Sequence, residues 1–225
     1  MKINSAILEG AKFLKSKYIA SAYLDSEILM AKAINKNRKY VLMNLDKNLL
    51  YKDFKNYLKL IKKRSLRKPV AYLTNKKYFW KSEFFVTKDT LIPRPDTEIL
   101  IESILDYSKN KNEQNILDIG IGSGCILLSI LKEKKKFIGT GIDISKETLN
   151  ICKINAVKLN VINRLKLFKT NVDKFNRGKY DLIVSNPPYI NKNKIKYLDM
   201  DVASYEPLMA LDGGLDGLSV IRKVI

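Results

Sequence analysis

Two short stretches of this sequence carry residue types and spacings that could do chemistry: Asn186-Pro187-Pro188-Tyr189 and, upstream, Asp118-Ile119-Gly120-Ile121-Gly122-Ser123-Gly124. In the first, the Asn186 side chain and the Pro187 backbone each offer a carbonyl oxygen, and two proline rings restrict the torsions that hold them. Two converging acceptors suit a planar NH2 group, and Tyr189 adds a flat aromatic face on which an amide or a base can lie. Such nitrogens are poor nucleophiles because the lone pair is delocalised, as in the peptide bond. Acceptors on both N–H bonds favour the nitrogen as it becomes tetrahedral, so the transition state is bound better than the ground state. An isolated Asn-Pro is more often a plain turn. Here it follows the apolar run Leu182-Ile183-Val184, and that context favours the chemical reading.

The glycine stretch follows a similar run, Asn115-Ile116-Leu117. Gly120, Gly122 and Gly124 let the backbone turn sharply and approach a ligand that a Cβ would repel. The loop opens a helix, whose first amides point at whatever lies there. The spacing is GxGxG followed by Cys125, which disfavours a dinucleotide, and no GxxxxGK[ST] occurs, so a P-loop is excluded. Asp143, 23 residues after Gly120, can accept hydrogen bonds from both hydroxyls of a ribose. The competing reading is a cap for the helix starting at Lys146. Asn171 could bond an adenine edge and Val172 could pack on its face. A methyl on a sulfonium is an activated donor that needs no metal. Alignment alone can supply up to roughly 7–11 kcal/mol in such a transfer.

The sequence has no histidine. That excludes histidine triads and histidine bases, and no metal site is expected. The net charge is +19, from seven arginines and thirty-five lysines against 23 acids. A basic surface attracts nucleic acid, but lysine spread along the whole chain reads rather as compositional drift, so nucleic acid is the less favoured partner. No run of 18 apolar residues is present, so no membrane span is expected. Cys125 and Cys152 lack CxxC spacing and read as reduced core residues, which points to the cytoplasm.

These stretches need elements to hold them. Residues 1–75 read as a small all-α bundle, with Ile7, Phe13 and Leu14 on one face, Leu24, Ile28 and Leu29 on another, and Phe54, Tyr57, Leu58 and Ile61 at helical spacing. Asp25 and Asp53 are candidate helix starts. The basic run from Ile61 to Lys68 reads as a solvated helix end rather than a binding patch. Pro69 ends the bundle. Residues 76–90 read as a β-hairpin connector turning at Lys81-Ser82. From 91 to 225 the pattern is a doubly wound, mainly parallel α/β sheet, with strands at 115–119, 137–142, 165–168 and 180–184. Asp96 or Thr97 would cap a helix running to about Tyr107. Helices at about 123–134 and 146–159 join the strands. Strand 180–184 would be left as an edge, so the sheet reads as truncated, with its C-terminal strands missing.

Taken in order, Asp118 to Gly124, Asp143 and Asn186 to Tyr189 resemble class I S-adenosylmethionine-dependent methyltransferases acting on NH2 groups, whose sheet is Rossmann-like. Leu91 to Glu98, Pro69 to Thr74 with the hairpin, and Asp201 to Leu208 narrow the resemblance to the HemK/PrmC peptide chain release factor glutamine methyltransferases, over essentially the whole chain. The resemblance implies N5-methylation of the glutamine in the Gly-Gly-Gln motif of release factors, in translation termination. It implies that Gly120, Ile121, Gly122, Ser123, Gly124, Asp143, Asn171, Val172 and Asn186 hold S-adenosylmethionine. Asn186, Pro187, Pro188 and Tyr189 would hold the glutamine, with Asn186, Pro187 and Tyr189 catalytic, and the helical domain of a monomer would dock the release factor. Two departures stand out: Asn171 occupies a position where an acid is common in the family, and the chain ends before the last strands. Ribosomal protein glutamine methylation and amino-methylation of a DNA or RNA base are the alternatives.

Overall fold

Apolar residues three and four apart wind the first part of the chain into helices that share one core. Ile3, Ala6, Ile7, Gly10 and Leu14 form the buried stripe of α1 (Ile3–Lys15), as an amphipathic helix requires. It is followed by α2 (Ala22–Ala33), α3 (Arg38–Leu42), α4 (Tyr51–Ser65) and α5 (Val70–Thr74). The computed structural model describes residues 1–225, and the chain divides into two compact units, Met1–Thr74 and Asn75–Ile225. In the first, Tyr57 of α4 is fully buried and its hydroxyl bonds Ser26 and donates to the Ala6 carbonyl. Gly10 makes this possible, because a Cβ there would lie 1.9 Å from the Tyr57 hydroxyl. Phe13, Leu24 and Leu58, expected on buried faces, are exposed.

Asp25 does not start a helix. It lies in the first turn of α2, buried, where it accepts from Arg64 Nε at 2.7 Å and from the Ser21 hydroxyl at 2.9 Å. Arg64, inside the run expected to be solvated, is therefore buried, while Lys62 and Lys63 beside it are exposed. Asp53 sits in the first turn of α4, whose start has no side-chain cap. Pro69 does not end the bundle, because α5 follows it inside the first unit.

In the second unit, β1 (Lys76–Phe79) and β2 (Ser82–Phe85) form the hairpin. Its turn is at Trp80-Lys81, one residue earlier than expected, with Trp80 in the left-handed region at φ 52°. The Asn155 side chain holds the hairpin by bonding both the Phe85 amide (2.7 Å) and the Phe85 carbonyl (2.9 Å). After α6 (Glu98–Tyr107) come β3 (Asn115–Ile119), α7 (Cys125–Glu133), β4 (Ile138–Asp143), α8 (Lys146–Lys158), β5 (Leu165–Lys169), β6 (Leu182–Ser185), α9 (Met200–Ala203) and α10 (Ile221–Val224).

The four later strands form one parallel sheet in the order β5-β4-β3-β6. This is the α/β fold expected from the alternation of strands and helices. β6 is the terminal strand of the order. On one face of the sheet Leu117, Ile119 and Ile142 form a core, joined by Phe168, Val172, Phe175, Tyr180 and, from α10, Val224. On the other, Leu127 of α7 packs so close to Gly139 that a Cβ there would approach it to 2.9 Å. β3 and β4 run in register, Ile119 opposite Ile142, so Gly120 and Asp143 leave the sheet at the same end.

Candidate active site

At the carboxyl end of β3 the chain turns through Gly120, Gly122 and Gly124, with φ of 73°, 57° and 81°. An L side chain rarely adopts such values. The amides of Gly120 and Ile121 both donate to the Ile142 carbonyl at 3.0 Å, which pins the loop to β4. The three glycines have different surroundings. A Cβ at Gly120 would meet nothing within 4 Å, whereas one at Gly124 would lie 2.7 Å from Leu128 and 2.8 Å from Cys152. Gly120 thus borders open space, and Gly124 starts α7 in a packed corner.

Asp143 Oδ2 accepts from the Gly122 amide at 3.2 Å, and Oδ1 from the Ser145 amide at 3.0 Å. The cap of α8 is Ser145, whose hydroxyl accepts from Thr148 N at 3.1 Å, so Asp143 is not the cap considered for it. Burial pushes the Asp143 carboxyl above its ordinary range, against the hydrogen bonds from Ser145 and Gly122. Beneath the loop, Asp118 is 1% exposed and its Oδ1 has no hydrogen-bond partner. Burial pushes its carboxyl up to about 7, opposed by a hydrogen bond from the Leu127 backbone and reinforced by the neighbouring Asp143 charge. Burial also lifts the Cys125 thiol to about 12, so it carries no thiolate near neutral pH.

Around this loop lies a cavity of ≈ 590 Å³, within the size range of small-molecule sites. Gly120, Ile121, Gly122, Ser123, Asp143, Asn171, Val172, Asn186, Pro187 and Pro188 all line it; Gly124 and Tyr189 do not. A second cavity, ≈ 420 Å³, is lined by Tyr189 together with Asn186 and Pro187. The Asn-Pro pair therefore borders both. Asn186 Nδ2 donates to Thr97 Oγ1 at 3.5 Å, a long bond, and Oδ1 has no partner within the chain. Asn171 Oδ1 accepts from Asp173 N at 3.3 Å, closing a short 3-10 turn, while its side-chain amide NH2 stays uncommitted.

Sequence reasoning missed what braces this region. Thr97 does not cap α6. It lies in the 3-10 turn Pro95–Thr97, which runs straight into the helix, and neither its side chain nor that of Asp96 bonds the helix start. Glu206, its side chain 1% exposed, accepts from Arg94 Nη2 at 2.6 Å and from the Ile92 amide at 3.1 Å. Both residues lie in stretches that carried the family resemblance, but only the three-dimensional structure pairs them. Ile144, Thr170 and Lys223 also line the larger cavity. Lys223 also pairs with Asp173 at 2.5 Å.

Residues 5–74 match the family model described as PrmC N-terminal domain. The model described as Methyltransferase small domain matches residues 95–202. Among solved structures, the human Mettl16 catalytic domain bound to a MAT2A 3′UTR hairpin is similar over 62% of this chain and 54% of that one, at TM-score 0.52 and 16% identity, which speaks to the fold. A release factor glutamine methyltransferase of Leptospira interrogans is 39% identical over 93% of this chain and 74% of its own length. The enzyme of that name from Clostridium acetobutylicum is 37% identical over 100% of this chain and 80% of its own length. Such agreement runs through both compact units, and the chain belongs to the release factor glutamine methyltransferase family, enzymes that use S-adenosylmethionine as methyl donor.

Proposed function

We infer that this chain transfers a methyl group from S-adenosylmethionine to the side-chain amide nitrogen (N5) of the glutamine in the Gly-Gly-Gln motif of peptide chain release factors. The observation that carries this reading is the position of Asn186 and Pro187, which line both cavities at once. A donor in the larger cavity and an acceptor nitrogen in the smaller would meet at the carbonyl-bearing pair.

The residues present fit the cofactor. Gly120 leaves room at the loop, and Asp143 and Asn171 stand at the ends of β4 and β5, where α/β sheets bind nucleotides. When bound, the cofactor supplies a methyl group on a cationic sulfur. In this reading the chain's own residues bind and align. The Asp143 carboxylate takes the ribose hydroxyls, Asn171 and Val172 take the adenine, and the backbone from Gly120 to Ser123 follows the rest of the molecule. Asn186 Oδ1, unpartnered, and the Pro187 carbonyl accept the two N–H groups of the glutamine amide and orient its nitrogen. Thr97 Oγ1, 3.5 Å from Asn186 Nδ2, braces this side chain. Tyr189, 64% exposed, forms the wall against which the amide lies. No step calls for a histidine or a thiolate.

In this reading the helical unit docks the release factor, and the enzyme works as a monomer in the cytoplasm. No helix is long and apolar enough to cross a membrane. The test uses a purified release factor, this chain and methyl-labelled S-adenosylmethionine. Label on the Gly-Gly-Gln fragment, absent when that glutamine is replaced by alanine, supports the reading. Label that survives the replacement contradicts it.

A further inference from the structure

Met1–Thr74 carries 17 basic and 5 acidic residues, a net +12 out of the chain's +19. Three of those five acids are already paired within the unit: Asp25 with Arg64, Glu27 with Arg38, and Asp46 with Lys2. The excess is densest on α4, which carries a net +5. At about 100° per residue, Lys52, Lys55, Lys59, Lys62 and Lys63 fall within an arc of about 100°, spanning about 16 Å of helix. All five are exposed, and none forms an ion pair. The helix's one acid, Asp53, lies outside the arc, on the side of buried Arg64. Tyr51, 81% exposed, borders the arc at the start of the helix.

An ordinary solvated helix face mixes signs and gains from Glu–Lys pairs four residues apart. This one has no acid to pair with. A protein-docking face would be expected to favour arginine and aromatics and to be depleted of lysine. Lysine ammonium groups act as hydrated point charges without the fork geometry that carboxylates reward. They suit a partner with closely spaced negative charges and no demand for direction, which describes a phosphate backbone. Tyr51 adds a face on which a base could stack.

We propose that this face of α4 is a nucleic-acid-binding site that holds the phosphate backbone through the five lysines. The site uses neither cavity, so it stands or falls independently of the methyl-transfer reading.

The experiment is fluorescence anisotropy of the full chain with a labelled 20-nucleotide RNA, single-stranded and as a duplex, across 50–200 mM salt. It compares the parent with a variant carrying glutamine at 52, 55, 59, 62 and 63. A control variant carries glutamine in place of exposed Lys109, Lys111, Lys135, Lys136 and Lys153, removing the same charge elsewhere. At −0.7 to −0.9 per phosphate, five contacts contribute a slope of about −3.5 to −4.5 in log K against log salt, on the order of a hundredfold in affinity over that range. The α4 variant should lose most of that slope and the control should keep it. Circular dichroism melts establish that both variants are folded, and a Lys55→Gln, Lys59→Gln double variant should lose about two fifths of the slope. Equal losses in the α4 and control variants would overturn the proposal, leaving net charge as the cause. So would no RNA binding by the parent, including the case where the α4 variant instead raises KM for the release factor and the face docks protein.

Discussion

Arg94 Nη2 lies 2.6 Å from Glu206 Oε1, joining residues 112 apart in the chain. The bond ties the proline-rich approach to α6 to the turn that leads into Leu208–Ala210, and both segments line the larger cavity. Glu206 is buried and Arg94 is about a third exposed. Removing Arg94 leaves a buried carboxylate with only the Ile92 amide. A fully buried pair broken this way costs about 3–5 kcal/mol, and the exposure of Arg94 reduces that to about 2. Arg94→Ala should therefore lower the melting temperature by several degrees, and Glu206→Gln by less, because it leaves no buried charge unpaired. Equal melting temperatures for parent and Arg94→Ala would show the pair to be idle.

The loop glycines make a contrast that separates binding from folding. Gly120→Ala carries only the cost of a left-handed residue, about 1–2 kcal/mol, since its Cβ meets nothing. Its Cβ borders the cavity, so cofactor affinity should drop, with the melting temperature lowered by only a few degrees. Gly124→Ala puts a Cβ against Leu128 and Cys152 and should destabilise by clearly more. Calorimetric titration and melting of both variants check this. The opposite ranking would contradict the placement of the loop.

Asp143→Ala should weaken S-adenosylmethionine binding by about 10- to 100-fold, the worth of hydrogen bonds to a charged group, about 1.5–3 kcal/mol. Its bonds to Gly122 and Ser145 are lost too, so Asp143→Asn, which can keep one acceptor, is the informative companion. An unchanged dissociation constant in both variants would remove Asp143 from the cofactor site.

Asp118 gives a pH dependence with a definite sign. Its carboxyl in the folded chain titrates near 7, above the ordinary value of about 3.9. The folded state therefore keeps the proton that the unfolded state has released. The stabilisation is complete below about pH 4 and is lost as pH rises towards and through 7, at up to ~1.4 kcal/mol per unit. Asp118→Asn has no proton to lose. Its melting temperature relative to the parent should rise between pH 5 and pH 7 and level off above that. A difference that stays flat over that range would show that Asp118 is not held protonated.

The parallel α/β sheet was legible because strand runs and glycine turns are local signals. The apolar run Ile116-Leu117 and the left-handed demands of Gly120, Gly122 and Gly124 sit side by side in the sequence. What escaped were pairings between distant residues. Nothing local marks Arg64 as the partner of Asp25, and a lysine-rich neighbourhood makes it look solvated. Thr97 resembles a helix cap, yet its hydroxyl meets Asn186, 89 residues away. Boundaries slipped where a side chain changed the ladder: the last strand begins at Leu182, not Tyr180, and Asp181 just ahead of it takes the Asn115 amide on its carboxylate at 2.7 Å.

The proposed methyl transfer requires Asn186 to align the acceptor nitrogen where the two cavities meet. Its most direct test is a single-turnover time course of methyl incorporation into a release factor, followed by mass at saturating cofactor, for the parent and Asn186→Ala. The prediction is one methyl group on the Gly-Gly-Gln glutamine with the parent, and a rate about 10²- to 10³-fold lower in the variant, the usual loss for one transition-state hydrogen-bonding group. A variant that methylates the same glutamine at the parent's rate would contradict it.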